Sequence, residues 1–175
     1  MSSSIIDITP VPGYPSQIGF LLAQLEDIRE DTKRYIKDLT PSQLSWHPNL
    51  KVESIGTLLL HIAAVEWSWI FEDIFKRPMG PEWEIAFPIR VGKPQVSGEP
   101  PGFYMGKLDA VRAEIKTGLA TLTDADLDRE IIPLDQGGSS QPVNSYTIRW
   151  ILYHLAEHEA HHRGQIAVMK RLLPF

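Results

Sequence analysis

The chain has 175 residues, of which 43% are hydrophobic and 22% charged, a composition typical of a soluble globular domain and unlike that of a disordered or fibrous protein. Its formal net charge of -5, without an evident cluster of basic residues, argues against nucleic acid and anionic membrane surfaces as partners. Because cysteine is absent, a metal site must use histidine, carboxylate or backbone ligands, and no protein thiol can act as a nucleophile.

The first residues have neither the basic region nor the apolar run of a secretory signal, so we expect a cytoplasmic protein. The longest apolar stretch, Ile55 to Phe75, is interrupted by one histidine and three acidic residues, and we therefore expect no segment that crosses a membrane. Residues 1–175 are expected to form one domain.

The first half of the chain predicts two long helices, because apolar residues recur there every three or four positions. Helix A extends from about Pro15 to Leu39. The connector that follows has a helix cap at Thr40 and a proline in its first turn. Helix B begins near Ser54 and ends before Pro78, whose ring cannot continue a helix.

A long connection follows, from Pro78 to Gly102, with six prolines, four glycines and no sustained periodicity. Short extended pieces are predicted over Ile85 to Val91. Connections of this length are commonly functional or are crossovers. We expect this one to act as a lid or to carry the chain between the two ends of a bundle, making helices B and C parallel neighbours.

Two further helices complete the predicted fold. Helix C covers about Phe103 to Leu122, and helix D covers about Thr147 to Leu173, with Asn144 or Ser145 as its cap. The segment between them, from Asp135 to Pro142, is rich in glycine and serine and predicts a loop. The four helices predict an all-α protein, a four-helix bundle with a long crossover between helices B and C.

The histidines are concentrated, and this is the main functional signal. Four of the six lie within nine residues of helix D, at His154, His158, His161 and His162. Two histidines four positions apart on a helix can bind one ion through Nε2 at about 2.0 Å. Residues 154, 158 and 162 cannot all share one ion, because positions eight apart are separated by about 12 Å of helix rise.

His158 and His162 are the favoured pair, because with Glu159 they form the H-E-x-x-H pattern, in which two histidines bind a metal and the glutamate acts as base. A third ligand must come from elsewhere. No His, Asp or Glu follows His162, so that ligand lies upstream. His61 is the obvious candidate, since it interrupts an apolar face of helix B that should face the bundle interior.

Two stretches, Leu58-Leu59-Leu60-His61-Ile62 and His158-Glu159-Ala160-His161-His162-Arg163-Gly164-Gln165-Ile166, resemble the DinB-like (damage-inducible) family of metal-binding four-helix bundles. The resemblance extends over nearly the whole chain. It implies that His61, His158 and His162 are the metal ligands and that the helices run up-down-down-up. It also implies frequent homodimers, and relatives that act as thiol transferases or thiol-dependent isomerases with low-molecular-weight bacterial thiols. We therefore expect a homodimer that acts on a small molecule.

Other polar residues near the pattern have two interpretations. Glu159, the candidate catalytic residue, and Glu66 are expected either to hold an imidazole by its second nitrogen or to accept a proton. If their side chains faced solvent, the two glutamates would do neither. His154 is expected to line the site one turn from the metal, His161 to be exposed, and His47 to be a turn residue.

Arg163 and Gln165 either orient ligands or substrate, or form a salt bridge and an interhelix hydrogen bond, with Gly164 permitting close helix packing. Tryptophans at helical spacing line an apolar pocket or belong to the core. These are Trp67, Trp69, Trp83 and Trp150.

Two classes of function fit this constellation. The first is an enzyme of hydrolase or thiol S-transferase type, in which three neutral histidines leave a coordination position open for water or for an external low-molecular-weight thiol. Zinc is the default ion, with nickel, iron or manganese allowed. The second is a non-catalytic, metal-stabilised dimeric module for binding or stress response. A di-iron enzyme is excluded, because only Glu159 and His162 have the required E-x-x-H spacing.

Overall fold

The computed structural model describes residues 7–134 and 144–174 as a bundle of four long helices with short helical connections. The helices, in chain order, are α1 (Ser16–Ile36), α2 (Pro41–Ser45), α3 (Ile55–Trp67), α4 (Pro88–Val91), α5 (Pro101–Leu119) and α6 (Ile148–Leu172). A π-helical segment, Ser68–Ile74, continues α3, and 3-10 turns cover Pro81–Ala86 and Asp124–Asp128. The strands β1 (Glu130–Ile131) and β2 (Tyr146–Thr147) pair antiparallel. The predicted loop Asp135 to Pro142 lies outside the described residues.

Side chains that cap the helices explain where they begin. Thr40 and Gln43 form a capping box at α2, and the Ser54 hydroxyl accepts from the Thr57 backbone N–H at 3.1 Å. The α6 cap is Thr147, whose hydroxyl accepts from the Trp150 backbone N–H at 3.1 Å. The predicted cap at Asn144 or Ser145 was therefore wrong, because the residues after it are extended in β2 and the helix cannot begin before they end.

The directions of the four long helices follow from side-chain contacts along their lengths. Between α1 and α6, Arg149 donates to Gln17 near both starts, and Lys170 donates to the Tyr35 carbonyl near both ends, so the two helices are parallel. The rings of Trp69 and Trp150 pack together. Since Trp69 follows α3 and Trp150 begins α6, these two helices are antiparallel.

Helices α3 and α5 are also parallel. Near their starts, Gly56 lies so close to Tyr104 that a Cβ at Gly56 would overlap the phenol ring. Further along, the Trp67 indole donates to Glu114 at 3.1 Å. The bundle therefore runs up-down-down-up, and the predicted all-α fold and crossover between α3 and α5 are confirmed.

The crossover itself differs from the sequence prediction. Extended pieces were predicted over Ile85 to Val91, but the chain forms the 3-10 turn Pro81–Ala86 and then α4. Both pieces begin with a proline, whose fixed φ suits a first helical position. Gly92, at φ 67°, ends α4 in the left-handed region. The prolines therefore start helical turns here instead of preventing them.

The segment Ile55–Ile74 is long and apolar enough to span a membrane by length and composition, and 72% of its most apolar window is buried inside the protein. It is the central helix of the core and also carries the buried carboxylates Glu66 and Asp73. Packing against α5, α6 and the 3-10 turn Pro81–Ala86 therefore explains its apolar composition.

Candidate metal centre

Three imidazoles from α3 and α6 meet in the described part of the chain. His158 Nε2 lies 3.3 Å from His61 Nε2 and 3.0 Å from His162 Nε2. The ring centroids of His61 and His162 are 4.9 Å apart. We call these residues the triad. The i, i+4 spacing on α6 places the rings of His158 and His162 side by side, and the antiparallel packing of α3 against α6 brings the ring of His61 next to them.

The separations within the triad fit a single ion. Two ligand nitrogens, each about 2.0–2.1 Å from a tetrahedrally coordinated zinc ion, are about 3.3 Å apart. The observed nitrogen separations of 3.0 and 3.3 Å are close to this value. One imidazole N–H can be shared between two acceptor nitrogens, whereas a cation among the three Nε2 atoms accepts a lone pair from each of them.

The environment keeps these imidazoles neutral, as metal ligands must be. Burial, assisted by charge repulsion from the other rings, lowers the pKa of His158 to about 3. Burial likewise lowers the pKa of His61 to about 4, with further contributions from His162 and the Arg90 guanidinium. The pKa of His162 is also lowered by burial. All three rings therefore carry a free lone pair at neutral pH.

The second nitrogen of His162 is held by an amide. His162 Nδ1 lies 2.7 Å from the Gln165 side-chain carbonyl, which accepts its proton and leaves Nε2 free for an ion. The amide nitrogen of Gln165 lies 3.3 Å from His161 Nε2. Of the two interpretations of Gln165, orientation of a ligand histidine is the one that the contact supports. His161 is exposed, as expected.

His61 is positioned by packing. The Phe87 ring meets it edge to face at 5.3 Å, and among the described residues its Nδ1 has no hydrogen-bond partner. Phe87 joins the crossover's 3-10 turn to α4, so the crossover covers one side of the triad. The predicted lid position of this segment is consistent with that contact.

The family comparison covers most of the bundle, because the model of the DinB superfamily matches residues 24–166. This chain belongs to the DinB superfamily. A DinB-like protein from Bacillus cereus is similar in fold, at 19% identity and a TM-score of 0.65, over 87% of this chain and 90% of that one. YfiT from Bacillus subtilis, described as a probable metal-dependent hydrolase with an unusual four-helix bundle topology, is 18% identical with a TM-score of 0.64. That match covers 98% of this chain and 91% of YfiT. Curated protein sequences give no match.

The two glutamates expected at the centre of this DinB protein lie elsewhere. Arg29 donates to Glu159 through Nε at 2.8 Å and Nη2 at 3.0 Å, and to Glu66 at 2.7 Å. Arg112 donates to the other oxygen of Glu66 at 2.6 Å. We call Arg29, Glu66, Arg112 and Glu159 the ionic network; each long helix supplies one member, and all four are buried.

The role predicted for Glu159 as a catalytic base, or for either glutamate as the partner of an imidazole, was therefore wrong. A residue one position after His158 is rotated by about 100° around the helix, so Glu159 points between α1 and α5. Burial raises the pKa of Glu66, but the charges of Arg112 and Arg29 outweigh burial and hold it below its ordinary value. Both carboxylates are occupied with arginines and unavailable for proton transfer at the triad.

His154 belongs to an aromatic stack that extends along α6 toward the triad. Its ring stacks on Trp150 at 4.7 Å, and Trp150 stacks on Tyr146 at 4.5 Å. Trp69 closes the stack edge-on, 5.7 Å from His154. His154 is 6.1 Å from His158 between ring centroids, so it lies one turn from the triad, as expected.

The predictions for Arg163 and Gly164 have different outcomes. Arg163 forms the salt bridge with Asp31 at 2.7 Å that links α6 to α1. Gly164 does not permit close helix packing, because a Cβ there would meet nothing within 4 Å. Of the remaining tryptophans, Trp67 is buried in the core, whereas Trp69 and Trp83 line a cleft.

Two clefts lie near the triad, and their walls include neighbours of the three histidines but none of the three histidines themselves. The aromatic cleft, of about 560 Å³, is lined by Trp69, Trp83 and Phe87. The aliphatic cleft, of about 910 Å³, lies on the side of Gln165 and has mostly apolar walls. These walls include Val52, Leu58, Ile89, Val168, Met169 and Leu172. The aromatic cleft reaches the triad through Phe87, which contacts His61, and the aliphatic cleft reaches it through Gln165, which contacts His162. Arg90 lines both clefts.

Sequence reasoning missed Arg29, Arg112, Phe87 and Arg90. A signal existed for the first, because Arg29 lies four positions after Leu25, where the α1 stripe calls for an apolar residue. The sequence contains no such signal for Arg112, Phe87 and Arg90, because their roles depend on how α5 and the crossover pack against the other helices.

Proposed function

We propose that the protein is a metal-dependent hydrolase of a small molecule, with one divalent ion, zinc by default, bound by His61, His158 and His162. The convergence of three neutral Nε2 atoms supports this proposal most directly. The description of YfiT, which has the same fold, as a probable metal-dependent hydrolase gives it further support.

The chain's own residues would prepare the site. Gln165 fixes the tautomer of His162, and Phe87 restricts the ring of His61. Three protein ligands leave a coordination position for a water or substrate atom, as in catalytic zinc sites. A divalent ion bound there supplies Lewis-acid catalysis and promotes deprotonation of water at neutral pH. A substrate in the aromatic cleft would contact Phe87, and one in the aliphatic cleft would contact Gln165.

A thiol S-transferase is the second candidate. The chain has no cysteine, so sulfur chemistry at this site requires an external low-molecular-weight thiol, which the open position would accept. Hydrolysis and thiol transfer both require the metal ion at the triad. Hydrolysis consumes water, whereas thiol transfer consumes the free thiol. A screen that follows both ester or amide cleavage and loss of free thiol separates them.

The test compares wild type with His158→Ala after chelation and after addition of zinc, nickel, iron(II) or manganese. We expect turnover that disappears with chelation, returns with one of these ions, and is absent in the variant. Metal binding without turnover in either screen would favour the non-catalytic, metal-stabilised module instead. The predicted homodimer is tested separately by light scattering of the purified protein.

A further inference from the structure

Arg90 differs from most arginines of the chain in lacking an anionic partner. Arg29, Arg77 and Arg163, for example, each contact a carboxylate. Over residues 7–134 and 144–174, the exposed side chain of Arg90 forms neither an ion pair nor a hydrogen bond, and its guanidinium packs on an aromatic face. A guanidinium has five N–H donors, so Arg90 keeps its full capacity to bind an oxyanion.

The guanidinium of Arg90 is separated from the triad by one aromatic ring. Its Cζ lies 4.8 Å over the ring of Phe87, the same ring that meets His61 edge to face at 5.3 Å. Arg90 lies in the short helix α4, Pro88–Val91. Pro88 at its start and the left-handed Gly92 after its end restrict the backbone conformation of this helix.

The aliphatic cleft next to Arg90 has the composition of a site for an amphiphilic anion. Most of its walls are apolar, and its charged residues are Lys51, Glu53 and Arg90, which leaves one net positive charge. Burial raises the pKa of Glu53, so this carboxyl takes up a proton more readily than an exposed one. Gln165, which holds His162, lines the same cleft. A molecule in it would therefore touch the support of the triad.

We propose that Arg90 binds an oxyanion of the substrate, a carboxylate or a phosphate, while the apolar body of that molecule lies in the aliphatic cleft beside the triad. The planar guanidinium would hold the oxyanion through two parallel N–H donors. This inference rests on the proposed function, because it names the class of molecule on which the metal site would act.

Three probes with one apolar tail test the proposal: octanoate, octyl phosphate and the uncharged octanamide. Their dissociation constants are measured by NMR titration of the full chain, loaded with zinc and again after chelation. We expect both anions to bind wild type more tightly than octanamide does. Arg90→Gln should weaken binding of the anions about tenfold and leave octanamide unchanged. Arg90→Lys should bind the anions with an affinity between those of wild type and Arg90→Gln. Lysine keeps the positive charge but lacks the two parallel N–H donors of a guanidinium.

Arg129→Gln is the matched control, since Arg129 is an exposed arginine on the connection between α5 and α6 and lines neither cleft. It should bind all probes as wild type does. Anion binding that is lost on chelation to the same extent in wild type and Arg90→Gln would place the oxyanion on the ion and overturn the proposal. Equal affinity of wild type for octanoate and octanamide would overturn it too. Zinc content, measured on the same samples, reports separately whether the triad binds metal.

Discussion

The triad and the two glutamates of the ionic network lie on the same two helices, α3 and α6, yet the two clusters are opposite in kind. His158 is followed directly by Glu159 on α6, and His61 precedes Glu66 by five positions on α3. In the ionic network, all four carboxylate oxygens accept from Arg29 or Arg112, and Arg112 Nη2 lies 3.7 Å from Glu159 without a hydrogen bond among the described residues. In the triad, three imidazoles bring their ring nitrogens within 4.8 Å of one another, which makes them a set of ligands for an ion.

This difference separates a structural cluster from a binding cluster. Buried polar groups are tolerated when they are paired, and the network is paired across all four helices. The triad instead concentrates lone pairs on a half-buried point that two clefts approach. We therefore expect mutations in the network to reduce stability and mutations in the triad to reduce metal binding.

The largest effect is expected from Arg29→Met. The change leaves Glu66 and Glu159 buried with only Arg112 to compensate them, and breaking a buried ion pair in this way costs about 3–5 kcal/mol. The free energy of unfolding from urea titrations measures the loss. Arg163→Met, which breaks a half-exposed pair with Asp31, should cost about 1 kcal/mol or less. Similar losses of unfolding free energy in the two variants would show that burial does not increase the contribution of the ionic network to stability.

The next effect concerns the triad and the folded state. A ligand that binds only the native protein stabilises it by about 2.7 kcal/mol when present at about 100 times its dissociation constant. We expect zinc at that excess to raise the unfolding free energy of wild type by about this amount and to leave His61→Ala unaffected. His47→Ala is the control, because His47 contacts the Asn49 carbonyl in a turn. Equal stabilisation of both variants would place the zinc outside the triad.

A smaller effect is expected from Gln165→Ala. The variant loses the acceptor of the His162 Nδ1 proton, and loss of such a contact weakens metal affinity about tenfold or more. Competition with a zinc-binding dye measures the affinity. Gln17→Ala, which removes an exposed glutamine that contacts Arg149 on the same two parallel helices, should leave it unchanged. An unchanged affinity in Gln165→Ala would mean that packing alone orients His162.

The last prediction concerns the pH dependence of the metal-free protein. The pKa of His158 is about 3 in the folded chain and about 6.5 when unfolded, so the unfolded chain binds more protons between these values. Stability is therefore unaffected by this group above about pH 6.5 and falls as the pH drops through the window. We expect His158→Asn to lose less stability than wild type between about pH 6.5 and pH 4.5 in urea titrations. Parallel curves would mean that burial of the ring does not govern its pKa.

The sequence predicts the four long helices and the convergence of the three histidines, because helical periodicity determines which residues share a face. It does not predict the 3-10 turn and α4 in the crossover, since Pro81 and Pro88 can either break or begin a helix. It also led to the wrong role for Glu159. The H-E-x-x-H pattern specifies spacing along one helix, whereas the role of the glutamate depends on which neighbours, here α1 and α5, pack against that position.

The most direct test of the account is the zinc content of the purified, zinc-incubated and desalted chain, measured by mass spectrometry. We expect about one ion per chain in wild type and in His47→Ala and His161→Ala, as for a mononuclear three-histidine site. The alanine variants of His61, His158 and His162 should each retain less than about a tenth of that amount. Full zinc content in any of these three variants, or none in wild type, would contradict the claim that the triad binds a metal ion.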